Sequence, residues 1–99
     1  MSISSQLNNS TLTINISGHF DFSTHKAFRA NLDSIDKQVK HVRVDMRTTD
    51  YLDSSALGML LLLKSKMNDQ KDAVTLVNAK PEVKKILEIA NFGQLFTLS

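Results

Sequence analysis

The sequence predicts an α/β fold: a mixed, mostly parallel sheet of about five strands with helices mainly on one of its faces. Three observations lead there. Short runs with apolar residues at every second position alternate with longer runs at helical spacing. The strand runs keep polar partners between their apolar residues, whereas strands covered on both faces are apolar throughout. Strand–helix–strand order makes parallel neighbours, and a tight turn near the start adds an antiparallel edge. No repeat, linker or low-complexity segment divides the chain, so residues 1–99 are expected to form a single domain.

Each element has its own signal. Ile3, Ser5 and Leu7 alternate with polar neighbours, and Asn8-Asn9 supplies a turn. Leu12, Ile14 and Ile16 then alternate with Thr11, Thr13, Asn15 and Ser17 to give a second strand. A first helix is expected from about Ser23 to Asp36, capped by Ser23, with Phe28, Leu32 and Ile35 inward. The third strand sets Val42, Val44 and Met46 against His41, Arg43 and Asp45. A second helix runs from Ser54 to about Asn68, after a loop that holds Thr48, Thr49 and Asp50. Ala73–Val77 is the fourth strand, with Val74 and Leu76 inward. Pro81 starts a third helix with Val83, Ile86, Leu87 and Ala90 on its core face, and Gly93 is expected to end it. Leu95–Leu98 reads as a short final strand.

Composition narrows the chemistry. The chain has no cysteine, which removes disulfides, thiolate metal sites and cysteine nucleophiles and fits the cytoplasm. Met1–Asn8 has no basic segment followed by an apolar one, and the apolar run ending at Leu63 is too short to span a bilayer. The net charge is +2, but basic and acidic residues are interspersed. Lys80, Lys84 and Lys85 form the densest basic group, without interleaved aromatics, so nucleic-acid binding is not expected. His19, His25 and His41 lack the context of a general base, and no His–carboxylate spacing forms a metal site. An enzyme, a resident metal and a cofactor are therefore not expected.

The informative stretch is Asp53-Ser54-Ser55-Ala56-Leu57-Gly58, where a strand-like run hands over to a very apolar helix. Asp53 can cap the first free N–H groups, leaving Ser54 and Ser55 in the first turn. A helix start favours negative charge, and a phosphate there would add roughly −1.5 to −2 charges. Leu57, Leu60 and Leu61 share a face of this helix, yet Met59, Leu62 and Leu63 are apolar as well. Flanking helices would bury such a helix on several sides; alternatively part of it, with adaptable Met59 and Met67, is a docking patch beside Ser54.

The block from Val42 through Leu63 resembles the centre of the STAS domain of bacterial anti-sigma-factor antagonists. That family carries an Asp-Ser-Ser/Thr-Gly/Ala-Leu-Gly motif after a strand. Ile16-Ser17-Gly18-His19-Phe20-Asp21 is similar to the family's Gly-x-apolar-Asp turn before its first helix. The two motifs stand in the family's order and spacing, and the likeness covers nearly the whole chain. It implies the STAS fold, with phosphorylation at Ser54 (Ser55 as second choice) and partner-binding or site-shaping roles for Gly18, Asp21, Thr49, Asp53, Ser55 and Met59. The bare residues also allow Asp21 to be only a turn stabiliser and Asp53 only a cap. Many members continue into a further C-terminal helix; the sequence stops at Ser99, which would leave an apolar strip uncovered.

The functional expectation from this resemblance is a cytoplasmic partner-switching protein. Its unphosphorylated form would bind an anti-sigma factor, a serine kinase with a histidine-kinase-type ATPase fold, and so release a sigma factor. Phosphorylation of Ser54 would abolish binding, and a metal-dependent serine phosphatase would reset it. ATP and metal would belong to those partners, leaving this chain without a cofactor and as a monomer or weak dimer. Two alternatives stand beside it: an accessory subunit of an ABC-type lipid transporter that binds the ATPase, and a small hydrolase using Ser54 or Ser55.

Overall fold

Along the second strand Leu12, Ile14, Ile16 and Phe20 are buried while the residues between them are not, and that alternation lays out the sheet. The computed structural model describes residues 2–68 and 70–98; Met1, Asp69 and Ser99 lie outside the described residues. Strands β1 (Ser2–Asn8) and β2 (Thr11–Phe20) form an antiparallel hairpin. Asn9 in its turn takes a left-handed backbone, φ 58°, which asparagine tolerates better than most residues. Parallel to β2 lies β3 (His41–Asp45), then β5 (Val74–Val77), then β6 (Thr97–Leu98). The spatial order is β1-β2-β3-β5-β6.

The sheet has six strands among the described residues rather than about five. The addition is β4 (Thr49–Leu52), which the sequence reading placed in a loop. It runs parallel to the last residues of β2, pairing Gly18 with Thr49, His19 with Tyr51 and Phe20 with Leu52. Thus β2 serves two partners in succession, β3 along its first half and β4 at its end.

Three helices cover the apolar face: α1 (His25–Asp33), α2 (Ser54–Lys66) and α3 (Pro81–Ile89). Ile14, Ile16, Val42, Val44, Val74 and Leu76 are buried beneath them. Phe28 and Leu32 from α1, Leu60 and Leu63 from α2, and Val83 and Leu87 from α3 complete one continuous core. The opposite sheet face carries Thr11, Thr13, Asn15, Arg43 and Thr75, none of them buried, as the alternating pattern requires. Among the described residues no helix is long and apolar enough to cross a membrane.

Several boundaries move. Asp21, not Ser23, opens the first helical segment: its carboxylate accepts the Ser23 N–H at 2.9 Å and starts a 3₁₀ turn over Phe22–Thr24. α1 begins only afterwards and stops at Asp33, so Ile35 reaches the core from a loop. Pro81 does start α3, where its missing N–H costs nothing. The helix stops at Ile89, and the left-handed residue beyond it is Asn91, φ 62°, while Gly93 sits in a following 3₁₀ turn. The final strand is only Thr97–Leu98.

Candidate functional site

The register of β2 and β4 brings the two motifs together. Phe20 pairs with Leu52, so Asp21 and Asp53 are the next residues out from adjacent strand ends. The Asp53 N–H donates to the Phe20 carbonyl at 3.3 Å, tying the two exits to each other. The pairing shifts register between Gly18 and His19. Gly18 has φ 81°, a conformation costly for any residue with a Cβ, and its N–H donates to the Thr48 carbonyl at 2.9 Å.

Hydroxyl groups lock this crossing. The buried Thr49 hydroxyl donates to the Ile16 carbonyl at 2.7 Å, and the Ser17 and Thr48 hydroxyls lie 2.8 Å apart. Thr49 is fully buried, so it shapes the site from below and offers no surface to a partner. The same correction applies to Met59, which is only 2% exposed: its position on α2 faces the core.

Asp53 caps α2. Its carboxylate accepts the Ala56 N–H at 2.9 Å, satisfying one of the unpaired donors of the first turn. Ser54 follows as the first helical residue and is exposed, whereas Ser55 is half-buried. Asp53→Ala is expected to cost about 1 kcal/mol, the usual worth of such a cap. Urea denaturation would check this, and an unchanged midpoint would deny the cap its energetic role.

Asp21 is held by its own loop. Besides the Ser23 N–H it accepts the Ser23 hydroxyl, while Thr24 donates its hydroxyl to the Asp21 carbonyl at 2.6 Å. The Ser23 hydroxyl bond, chiefly, draws the Asp21 carboxyl below the usual carboxylate range. Asp50 is drawn down in the same way by the Lys80 ammonium bonded to it. Both carboxylates favour the folded state when ionised. Their contribution is complete at neutral pH and is lost as the pH falls through the ordinary carboxylate range to their depressed folded values. Asp50→Asn should therefore flatten the acid limb of a stability–pH profile; an unaltered limb would show that the Lys80 pair contributes nothing.

The surface that runs from Ser54 along α2 is partly apolar. Ser54, Gly58, Leu61, Leu62 and Ser65 are exposed, while Ala56, Met59, Leu60 and Leu63 are buried. The exposed set falls at helical spacing, so Ser54 heads a stripe along α2. Leu61 and Leu62 are 43% and 44% exposed, and a side chain at Gly58 would point into open space. The sequence groups Leu61 with Leu57 and Leu60 on one helix face, whereas Leu61 is exposed and Leu60 buried, and it does not single out Phe22 or Tyr51. Phe22, next to Asp21, is 70% exposed and stacks on His25; Tyr51, next to Leu52, meets the edge of His19. Phe22 adjoins Asp21 and Tyr51 lies two residues before Asp53, and that closeness to the motifs was the available signal.

The histidines are occupied elsewhere. His41 bonds the Thr75 hydroxyl at 2.9 Å, and among the described residues no histidine is hydrogen-bonded to Ser54 or Ser55. Nor does any group of three or more His, Asp or Glu among the described residues cluster as metal ligands would.

Comparison with known proteins gives a consistent result. The STAS domain profile matches residues 2–99. A STAS-domain containing protein of Pseudomonas aeruginosa is 48% identical over 88 residues, covering 89% of this chain and 87% of the relative. BtrV of Bordetella bronchiseptica, a candidate anti-sigma factor antagonist, is 28% identical over 65 residues, covering 66% of this chain and 56% of BtrV. In fold the chain is similar to the Bacillus cell fate determinant SpoIIAA in its phosphorylated form, with TM-score 0.75 at 17% identity over 99% of this chain and 91% of SpoIIAA. Sheet order, paired motif loops and sequence profile agree: the chain belongs to the STAS domain family and is related to the anti-sigma factor antagonists.

Proposed function

We infer that this chain is a protein-binding switch of the anti-sigma factor antagonist type, controlled by phosphorylation of Ser54. One observation carries the reading: Ser54 is the exposed first residue of α2 and heads a stripe that includes two exposed leucines. Such a stripe suits a partner protein, and a serine at its head is open to a kinase. The relation to anti-sigma factor antagonists makes an anti-sigma factor the partner class. In the unphosphorylated state the partner covers Ser54, Leu61 and Leu62; its capture releases a sigma factor in the cytoplasm.

Phosphate changes the surface, not the fold. The Asp53 cap already holds the helix start, and residues 54–57 contain no lysine or arginine to pair with a phosphate. The new charge therefore stands beside Asp53 and faces the partner, where repulsion and desolvation oppose the complex. The chain acts as binder and substrate; transfer and removal of the phosphate belong to a kinase and a phosphatase. Affinity capture from native cells with wild type, Ser54→Ala and Ser54→Asp tests this. An anti-sigma factor held by the first two and lost by the third supports the switch. Equal retention of one partner by all three removes it.

A further inference from the structure

One border of the sheet is unpaired. β1 is the outermost strand and pairs only with β2, and among the described residues no loop or helix bonds to its other side. Its seven residues run roughly 24 Å, whereas β6 at the opposite border has two residues. Long edge strands are ordinarily protected by lysine, proline or a bulge. Ser2–Asn8 contains no charged residue, no proline and no glycine, and its pairing with β2 runs without a register shift.

The turn settles which groups face outward. Only Asn9 and Ser10 separate Asn8 from Thr11, so Asn8 and Thr11 close the hairpin as a hydrogen-bonded pair. Such pairs recur at every second residue, which commits the backbone groups of Gln6, Ser4 and Ser2 to β2 as well. Ile3, Ser5 and Leu7 therefore turn their N–H and C=O groups away from β2. Their side chains stand opposite Ile16, Ile14 and Leu12, on the sheet face that carries the helices.

This edge is complementary to itself. A second copy laid antiparallel with Ser5 opposite Ser5 also sets Ile3 opposite Leu7 and Leu7 opposite Ile3. Every outward N–H and C=O of the three residues then has a partner, and any slip from that register leaves those of Ile3 or Leu7 unmatched. Leu7, 48% exposed in the single chain, gains the second copy's Ile3 as its cross-strand neighbour. On the other face Ser4 meets Gln6, and no like charges oppose each other along the strand.

We propose that the chain self-associates through β1, two copies joining edge to edge about a two-fold axis at Ser5 into one continuous sheet. The shared edge is short, which makes the dimer weak and concentration-dependent. The inference does not rest on Ser54.

Sedimentation equilibrium from about 1 µM to about 1 mM, with amide hydrogen exchange at both ends of that range, tests it. A monomer–dimer equilibrium is expected. The amides of Ile3, Ser5 and Leu7 should exchange more slowly as dimer forms, while those of Ser4 and Gln6 are protected throughout. Ser5→Lys, at an exposed position, sets like charges face to face at the axis. It should raise the dimer dissociation constant roughly fivefold or more and leave the urea midpoint unchanged. The proposal is overturned by a monomer at every concentration, or by a dimer in which the Ile3, Ser5 and Leu7 amides exchange as fast as in the monomer. A folded Ser5→Lys chain that dimerises as tightly as wild type overturns it too.

Discussion

Phosphate on Ser54 is expected to weaken the complex with an anti-sigma partner by about 2 kcal/mol or more, roughly thirtyfold in Kd. Three structural facts set that scale. Ser54 is exposed and lies on one helical stripe with Leu61 and Leu62, so the modified group would sit against whatever covers the leucines. Asp53 is its neighbour, and Asp21 follows the strand end to which the Asp53 N–H is bonded. The first turn of α2 holds no basic side chain, so within that turn the phosphate finds no counter-ion to offset desolvation. Ser54→Asp carries one charge rather than nearly two and should lose less than the phosphoprotein; Ser54→Ala should bind about as wild type does. Calorimetric titration of the three forms at low and high salt would measure this. The repulsive part should shrink as salt rises. Equal affinities for phosphorylated and unmodified chain would rule out the switch.

Leu60→Ala is expected to destabilise the fold by about 2–5 kcal/mol, while Leu62→Ala should change stability by only about 0.5 kcal/mol. The two residues lie two positions apart on one helix, but Leu60 is fully buried and Leu62 is 44% exposed. Truncating Leu60 opens a cavity in the close-packed core to which Phe28 and Leu63 also belong. Leu62→Ala should instead appear in partner affinity, as a weaker complex with an unchanged denaturation midpoint. Urea unfolding alongside the binding titration separates the two effects. A large stability loss from Leu62→Ala would place that side chain in the core and withdraw the stripe.

That contrast also marks how far sequence could go. The strands β2, β3 and β5 were legible because their apolar residues alternate and one sheet face is wet. Asp53 was legible as a cap because a short carboxylate before an apolar helix has few better uses. The orientation of α2 was not legible: leucine or methionine stands on every side of it, so no apolar face stands out and only packing decides. Met59 accordingly fitted either a docking patch or the core, and it is buried in the core. β4 escaped for another reason. Its four residues are buried at both ends and exposed at the two middle positions, which breaks period two, and its pairing depends on a register shift at Gly18 in a distant part of the chain. The C-terminal end of α3 was assigned to Gly93 because glycine is the usual left-handed residue; Asn91 reaches that conformation first.

The parallel centre of the sheet has a kinetic consequence. Leu12 pairs with Val42 and Val42 pairs with Val74, so the first step across the sheet joins segments separated by α1, and the second joins segments separated by β4 and α2. Loop-closure entropy is spent before such contacts return anything, and chains of this topology fold more slowly than helical bundles. β3 lies between β2 and β5, and it keeps a bare edge until residues 74–77 have been made. During synthesis, Ser54 therefore leaves the ribosome well before the sheet that supports α2 is finished. A modifying enzyme that reads the docked helix would act on completed molecules and pass over nascent ones.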